Sequence, residues 1–354
     1  MSFVRLPGTV ENLYSELLDQ LRAADAAAAA GGVGGSLVTK TIRGRAYWYL
    51  QRSEGTRKRQ IYLGPDDSPF VERVRTSMGS LSATSADQSG RRELVAMLAA
   101  GGMFRESAPV GTVLRVLSES SIFRAGGVLV GTQAFSTLAN LLGVVFDRGS
   151  SRTADVDIAH DTTIPVALDD EQTEDGFIES LRRADPGFFG VPGMDVGDPS
   201  TSFSVRGRDL RVDFLTPDRS RGQRKKPVLL EHLGCAAQPL LRLEYLIEDP
   251  IDAVVVAGAG IRVNVPQPAR FAFHKLWVAA QRPASESSKA RKDFRQAESI
   301  LEVLVDDRPG DVSAAFEALT PHKTMLRQVR AQVARLDGGM REQLDPLLAL
   351  REGR

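Results

Sequence analysis

The stretch VLVGTQAFSTLANLLGVVFDRGSSRTADVDIAHD, residues 128–161, decides the fold. Its opening residues belong to an apolar run, Gly127–Val130, that reads as a short buried strand ending at Gly131-Thr132. Apolar residues then recur at helical spacing over Thr132–Leu142, and a second strand reads over Ala154–Ala159. Side chains alternate along a strand, so Asp155 and Asp157 share one face while Ala154, Val156 and Ile158 turn to the core. Two carboxylates side by side repel each other, and a divalent cation is what most readily makes the pair tolerable.

A third carboxylate lies downstream in LRVDFLTP, residues 210–217, where Val212 and Phe214 face the core and Asp213 the opposite side. Three aspartates on adjacent strands suit a hard cation with oxygen ligands, Mg²⁺ or Mn²⁺. In such sites two ions roughly 3.5–4 Å apart clamp the attacking and leaving oxygens of a displacement at phosphorus. The Gly131-Thr132 turn lets the backbone approach a phosphate, and the helix that follows offers free N–H groups.

Working outward, helices read over Val113–Ser120 and Glu171–Ala184, and strands near Ser202–Arg206, Leu210–Leu215, Ala253–Val256 and Ile261–Val265. The segment FFGVPGMDVGDPS (188–200) reads as a loop, and the chain beyond Pro268 as nearly all helix. Upstream, Leu13, Leu17, Leu18 and Leu21 mark a helix over 9–28, and the Gly-rich run 31–35 a hinge. A β-meander follows, with turns at Arg43-Gly44 and Glu54-Gly55, and 66–105 reads as mostly helical, broken at Gly101-Gly102. The expected class is α+β: a mixed-sheet core with an N-terminal helix and small antiparallel meander before it and a helical region after it. The corresponding divisions are 1–105, 106–220 and 221–354, the last contributing to the active site.

Gly131-Thr132 followed by Arg152-Thr153-Ala154-Asp155-Val156-Asp157-Ile158 resembles the first two motifs of the nucleotidyltransferase superfamily with the DNA-polymerase-β-like fold. Within it the chain looks most like the AbiEii-like group, which includes toxins of AbiE and MenAT-type toxin–antitoxin systems. VPQPARFAFHKL (265–276) resembles that group's lysine motif through Lys275, and Lys292-Asp293 resembles its K-D motif. The group usually carries a second Asp three residues after that Asp, where this sequence has Gln296, and Gly-Gly or Gly-Ser where this one has Gly131-Thr132. The resemblance covers roughly 120–305. It implies transfer of a nucleoside monophosphate from an NTP to a hydroxyl, with loss of pyrophosphate. The acceptor is expected on RNA (tRNA at family level) or on a protein, and a toxin would have an antitoxin partner.

The chemistry distributes the roles in the same way. Asp155 and Asp157 hold metal, and Asp213 completes the site as ligand or base. Arg152 and Lys275 neutralise triphosphate charge, and Ser151 lies where a hydroxyl meets the nucleotide. Lys292 and Asp293 either contact base or ribose or orient Lys275 through an ion pair. Two other readings stay open: a nucleotide-binding regulatory protein with weak or lost transfer, and a nucleic-acid-binding module with a purely structural D-x-D strand.

That last reading comes from the meander, where Lys40, Arg43, Arg45, Arg52, Arg57, Lys58 and Arg59 stand against one acid, Glu54. Tyr47, Trp48, Tyr49 and Tyr62 are interleaved, a composition suited to a phosphate backbone and exposed bases, or to a small sheet with one aromatic face packed inward. By alternation Trp48 and Leu50 share one face, Tyr47 and Tyr49 the other. A second basic cluster, Arg219–Lys226, follows the Asp213 strand. Gly258-Ala259-Gly260 reads as a hairpin turn, Cys235 as a small buried residue, and His274 as a helix-surface histidine.

Composition bounds the class. The 354 residues carry 45 basic and 45 acidic side chains, which excludes a uniformly basic polyanion binder. One cysteine and four scattered histidines exclude a disulfide framework and a Cys/His metal module. No apolar run reaches the ~18 residues of a membrane span, and the N-terminus lacks a signal's apolar stretch, so the expected location is cytoplasmic, with no membrane partner.

Overall fold

The parallel pairing of the two aspartate strands organises the molecule. The structure is a computed structural model that describes residues 3–30, 36–42, 45–54, 57–66, 68, 71, 87–120, 122–146, 154–161, 177–193, 199–219, 226–230 and 235–349. In chain order the N-terminal part contains β1 (Phe3–Arg5), α1 (Gly8–Ala30), β2 (Ser36–Ile42), β3 (Arg45–Glu54), β4 (Arg57–Pro65) and α2 (87–100). The core follows with α3 (Ala108–Glu119), β5 (Val128–Val130), α4 (Gly131–Leu141), β6 (Val144–Phe146), β7 (Asp155–Ala159), α5 (Phe177–Ala184), β8 (Phe188–Gly190), β9 (Ser202–Val205) and β10 (Arg211–Pro217). Next come β11 (Val228–Leu230), β12 (Cys235–Leu240), α6 (Leu243–Ile247), β13 (Ile251–Val255) and β14 (Ile261–Val265). The helices α7 (Pro268–Gln281), α8 (Ser287–Asp307), α9 (Pro309–Glu317), α10 (Lys323–Val333) and α11 (Gly338–Leu344) complete the described chain.

The central sheet runs β11-β12-β10-β7-β5 and is mixed, which bears out the α+β expectation. One edge of β10 is shared: its first residues pair antiparallel with β9 and its last ones parallel with β12. The other edge pairs in parallel with β7, setting Asp213 opposite Asp157 and Arg211 opposite Asp155. Val156, Ile158, Val212 and Phe214 are fully buried on the reverse face. Each such side chain contributes about 1.5–3 kcal/mol by leaving water, so the alternation that buries them fixes the aspartates on the open face.

The helical C-terminal region packs into the same core. α8 buries Ala297, Ile300, Leu301 and Leu304, a stripe at helical spacing, and α7 buries Phe271, Phe273 and Leu276. A second core joins α1 and α2 to β13 through Leu17, Val95, Leu98, Val254 and Val256. Tyr14 supports it by accepting a 2.8 Å hydrogen bond from the Val254 amide. Arg5 forms a bidentate pair with Asp307 at the end of α8, at 2.7 and 2.8 Å.

Several boundaries depart from the sequence reading. α3 begins five residues before Val113, because Pro109 occupies the first turn, where its missing N–H costs nothing. Phe188–Gly190, expected in a loop, pairs with β9. The strands β1, β6, β11 and β12 and the helix α6 lie where no element was expected. α5 is described from Phe177, so the earlier part of the expected helix lies outside the described residues, as do the Gly-rich run 31–35 and residues 72–86 of the segment expected to be mostly helical. The meander is a three-stranded antiparallel sheet, β2-β3-β4, with an irregularity between Trp48 and Tyr49 that breaks simple alternation. Trp48 donates to Asp66 at 2.7 Å, and Lys40 stands over the Tyr49 ring. Gly258 and Gly260 form the expected hairpin turn between β13 and β14, both with positive φ. Cys235 is buried in β12, its thiol pushed up to about 12 by burial. Among the described residues no helix is long and apolar enough to cross a membrane.

Candidate active site

Three strands bring the site together. β7 carries Asp155 and Asp157, β10 adds Asp213 on the same face in register with Asp157, and β5 runs antiparallel to β7 with Val130 opposite Asp157. The chain therefore leaves β5 and enters α4 directly beside the Asp157 carboxylate. Gly131 makes this turn with φ +68°, and a Cβ built on it would lie 2.1 Å from Asp157 Oδ2. The N-cap residue Val130 has no side chain that can cap α4, and the helix N-terminus opens beside the carboxylates. A phosphate oxygen is the natural acceptor there.

The carboxylates are electrostatically crowded. Burial, Asp213 and Asp155 together push the Asp157 carboxyl up to about 6. Asp155 is also raised, by burial, then Asp213 and Asp209, against the pull of Arg211 and Lys292. Asp213 is tied down through Oδ1, which accepts from Arg211 Nε at 2.8 Å and from the Ser202 hydroxyl. Arg211 also donates to Ser202 Oγ at 2.8 Å, closing a small network. Ser202 and Arg211 were not singled out from the sequence. Arg211 stands two residues before Asp213 in an alternating strand, and that spacing alone places it on the aspartate face.

Opposite the carboxylates stand two lysines from the C-terminal helices. Lys292 of α8 donates to Thr132 Oγ1 at 3.1 Å, and its pKa is lowered by burial and by Lys275. Lys275 of α7 donates to Asp293 Oδ1 at 2.7 Å and lies over the Phe271 ring. Asp293 is 3 % exposed, and its second oxygen accepts from Arg282 Nε at 2.6 Å. Arg282 continues to Glu286 at 2.6 Å. Both Asp293 oxygens are thus occupied, one by Lys275 and the other by Arg282.

One helical turn beyond Asp293, Gln296 is 1 % exposed, and among the described residues neither its Oε1 nor its Nε2 has a hydrogen-bond partner. His274, expected on the helix surface, is half-buried, with its ring turned inward. Its Nε2 is buried without a hydrogen-bond partner among the described residues, the ring packs on Trp277, and burial followed by Lys275 pushes its pKa down to about 3.

The remaining expected site residues divide in two. Ser151, Arg152 and Arg43 lie outside the described residues. Arg45 is exposed at the start of β3; Arg52 in β3 and Arg57, Lys58 and Arg59 in β4 are described by backbone register, with Arg52 opposite Arg59 and Glu54 opposite Arg57. Arg219 of the second basic cluster pairs with Asp161 at 2.9 Å, and 220–225 lie outside the described residues.

Among the described residues no group of three or more His, Cys, Asp or Glu side chains is gathered tightly enough to enclose a metal ion. The donor chemistry nonetheless fits a hard dication: Asp155 and Asp157 are oxygen ligands on one face, and a cation between them would relieve the repulsion that raises both.

Comparison with known proteins gives two matches. A family described as a domain of unknown function (DUF6788) matches residues 11–74, spanning most of α1 and the three-stranded sheet. No curated protein and no solved structure matches the chain. The second family model matches residues 108–320, from α3 through α9, and so takes in all three aspartates and both lysines; by that match the chain belongs to a nucleotidyltransferase family.

Proposed function

We propose that the protein is a metal-dependent enzyme that moves a nucleoside monophosphate from an NTP to a hydroxyl acceptor. The observation that carries this reading is Asp157, whose carboxyl is raised to about 6 by burial beside Asp213 and Asp155 while its Oδ2 overlies a glycine turn at a helix N-terminus. Asp155 and Asp157 hold Mg²⁺ or Mn²⁺, which when bound supplies positive charge to the triphosphate and acidity to the acceptor hydroxyl. Asp213, fixed through Oδ1 by Arg211 and Ser202, takes the hydroxyl proton on Oδ2. The acceptor oxygen bonds to the α-phosphorus, the bond from that phosphorus to the bridging oxygen breaks, and pyrophosphate leaves with the electron pair. Lys275, Lys292 and the first N–H groups of α4 neutralise the triphosphate.

The acceptor we infer is RNA, with tRNA the family-level expectation, and a protein hydroxyl the alternative. The basic three-stranded sheet supports RNA: β3 and β4 carry five cations, Arg45, Arg52, Arg57, Lys58 and Arg59, against one acid, Glu54. The lysine and K-D segments favour the AbiEii-like group, and with it a toxin paired to an antitoxin.

Gln296 favours a second reading, a nucleotide-binding regulatory protein with little transfer, because the buried amide stands where that group carries a carboxylate. Incubating the protein with each α-labelled NTP, Mg²⁺ and total RNA or total protein separates the two. Label transfer that disappears in Asp155→Ala supports the enzyme; NTP binding without transfer to any acceptor supports the second reading.

A further inference from the structure

Helix α8 has two chemically distinct faces. Lys292, Asp293 and Gln296 lie on the one that meets the active site. Arg291, Phe294, Arg295 and Glu298 recur at three- and four-residue spacing on the opposite face, where they line a cavity of about 410 Å³. The end of α7 contributes Arg282 to this cavity, and Arg335 follows α10. Four guanidinium groups thus surround a concavity that holds a single carboxylate, Glu298.

Arg291 and Arg295 are both exposed; Arg291 has no ion partner among the described residues, and Arg295 interacts electrostatically with Glu298 without a close ion pair. Arg335 lies over the Phe294 ring at 5.5 Å and is steadied by a 2.8 Å hydrogen bond to Gln332. Cations gathered around a hollow repel one another, and planar guanidinium forks match phosphate oxygens two at a time. The volume exceeds what a bare phosphate needs and falls within the roughly 300–1,000 Å³ of small-ligand pockets. The rest of the lining is mostly alanine, proline and the Phe294 ring, which suits a flat organic body rather than a second charge.

We propose that this cavity binds a nucleoside phosphate at a site separate from the triphosphate site, joined to it by Arg282. That residue belongs to both: it lines the cavity and donates to Asp293, whose other oxygen holds Lys275. A phosphate in the cavity competes with Asp293 for Arg282 and so changes how firmly Lys275 is held. The nucleoside phosphate is either a free mononucleotide or the terminal nucleotide of an RNA.

The test is calorimetric titration of the full chain, without metal, using AMP, adenosine, inorganic phosphate and a five-nucleotide RNA. AMP is expected to bind with equal affinity to the unaltered protein and to Asp155→Asn/Lys292→Ala, which disables the triphosphate site and leaves the Arg282–Asp293–Lys275 contacts in place. Its affinity is expected to fall at least about tenfold in Arg291→Glu/Arg295→Glu, whose exposed positions preserve the fold, as a melting curve verifies. Adenosine and phosphate alone are each expected to bind more weakly than AMP. An RNA that binds more tightly than AMP and is lost in the same arginine variant identifies a chain end as the source; an RNA no tighter than AMP identifies the free nucleotide. AMP binding that survives Arg291→Glu/Arg295→Glu, or its absence in the folded protein, overturns the proposal.

Discussion

A Cβ at position 131 would lie 2.1 Å from the Oδ2 of Asp157, so the glycine and the aspartate occupy complementary volumes. Gly131 also sits at φ +68°, a backbone region that costs an L-residue about 1–2 kcal/mol. Gly131→Ala therefore has two consequences: backbone strain, and displacement of the carboxylate. Gly207→Ala is the matched control, with φ +72° and nothing within 4 Å of the added methyl. Gly207→Ala is expected to lose about 1–2 kcal/mol in denaturant melts, and Gly131→Ala at least as much. Only Gly131→Ala should lose nucleotidyl transfer, by about a hundredfold or more, since misplacement by about 1 Å costs that much.

The repulsion that raises Asp157 makes a stability prediction of unusual sign. Its folded pKa, about 6, lies above the unfolded value near 4, so the ionised carboxylate destabilises the metal-free fold at neutral pH and ceases to do so as pH falls through 6 toward 4. Asp157→Asn should then stabilise the metal-free protein by about 3 kcal/mol at pH 7.5 while abolishing transfer, and the gain should vanish near pH 4. Mg²⁺ should raise the melting temperature of the unaltered protein more than that of Asp157→Asn. Urea melts at the two pH values, with and without Mg²⁺, measure all of this.

His274 acts in the opposite direction. It is neutral in the fold down to about pH 3, whereas the unfolded chain binds the proton near 6.5. Its contribution is complete above pH 6.5 and declines by about 1.4 kcal/mol per pH unit as pH falls toward 3. His274→Leu should therefore lose about 1 kcal/mol less stability than the unaltered protein between pH 7 and 5.5, as read from paired urea melts.

What was legible in the sequence was what local alternation encodes. The D-x-D strand, the Val212–Phe214 strand and the glycine turn each declare themselves within a few residues, and they pair as that reading requires. Elements stabilised from afar were not legible. β1 and β6 are three residues each and form only by meeting across the chain. β12, CAAQPL, carries no alternation and is set by its place along β10. His274 follows a helical pattern that fits either surface or interior, and the packing of α8 on α7 decides between them. The Arg282–Asp293 contact closes through that same packing, eleven residues apart. Lys292 reaches Thr132 across 160 residues.

Asp293 is buried between two cations, which predicts a strong and partly reversible defect. Asp293→Asn leaves Lys275 and Arg282 without their shared carboxylate, and removing one member of a buried charge network costs about 3–5 kcal/mol. Adding Arg282→Gln removes one of the stranded cations and should recover more than half of that loss. Transfer should not recover, because Lys275 remains unheld. A double-mutant cycle on stability, run beside kcat and KM for the NTP, measures both effects.

The cross-strand pair Arg52–Arg59 separates a nucleic-acid surface from a merely solvated sheet. Reversing one charge where five cations of β3 and β4 stand against one acid lowers the net repulsion, so Arg59→Glu should leave the melting temperature unchanged or raise it. If the sheet meets RNA, the same substitution should weaken RNA binding about tenfold or more, since it removes one phosphate contact and adds repulsion. The slope of log affinity against log salt should become shallower by about 0.7–0.9, the contribution of one phosphate contact. Fluorescence anisotropy with labelled tRNA at four salt concentrations measures both quantities. Affinity and slope that match the unaltered protein would assign the cations of β3 and β4 to solvent and remove RNA docking from this sheet.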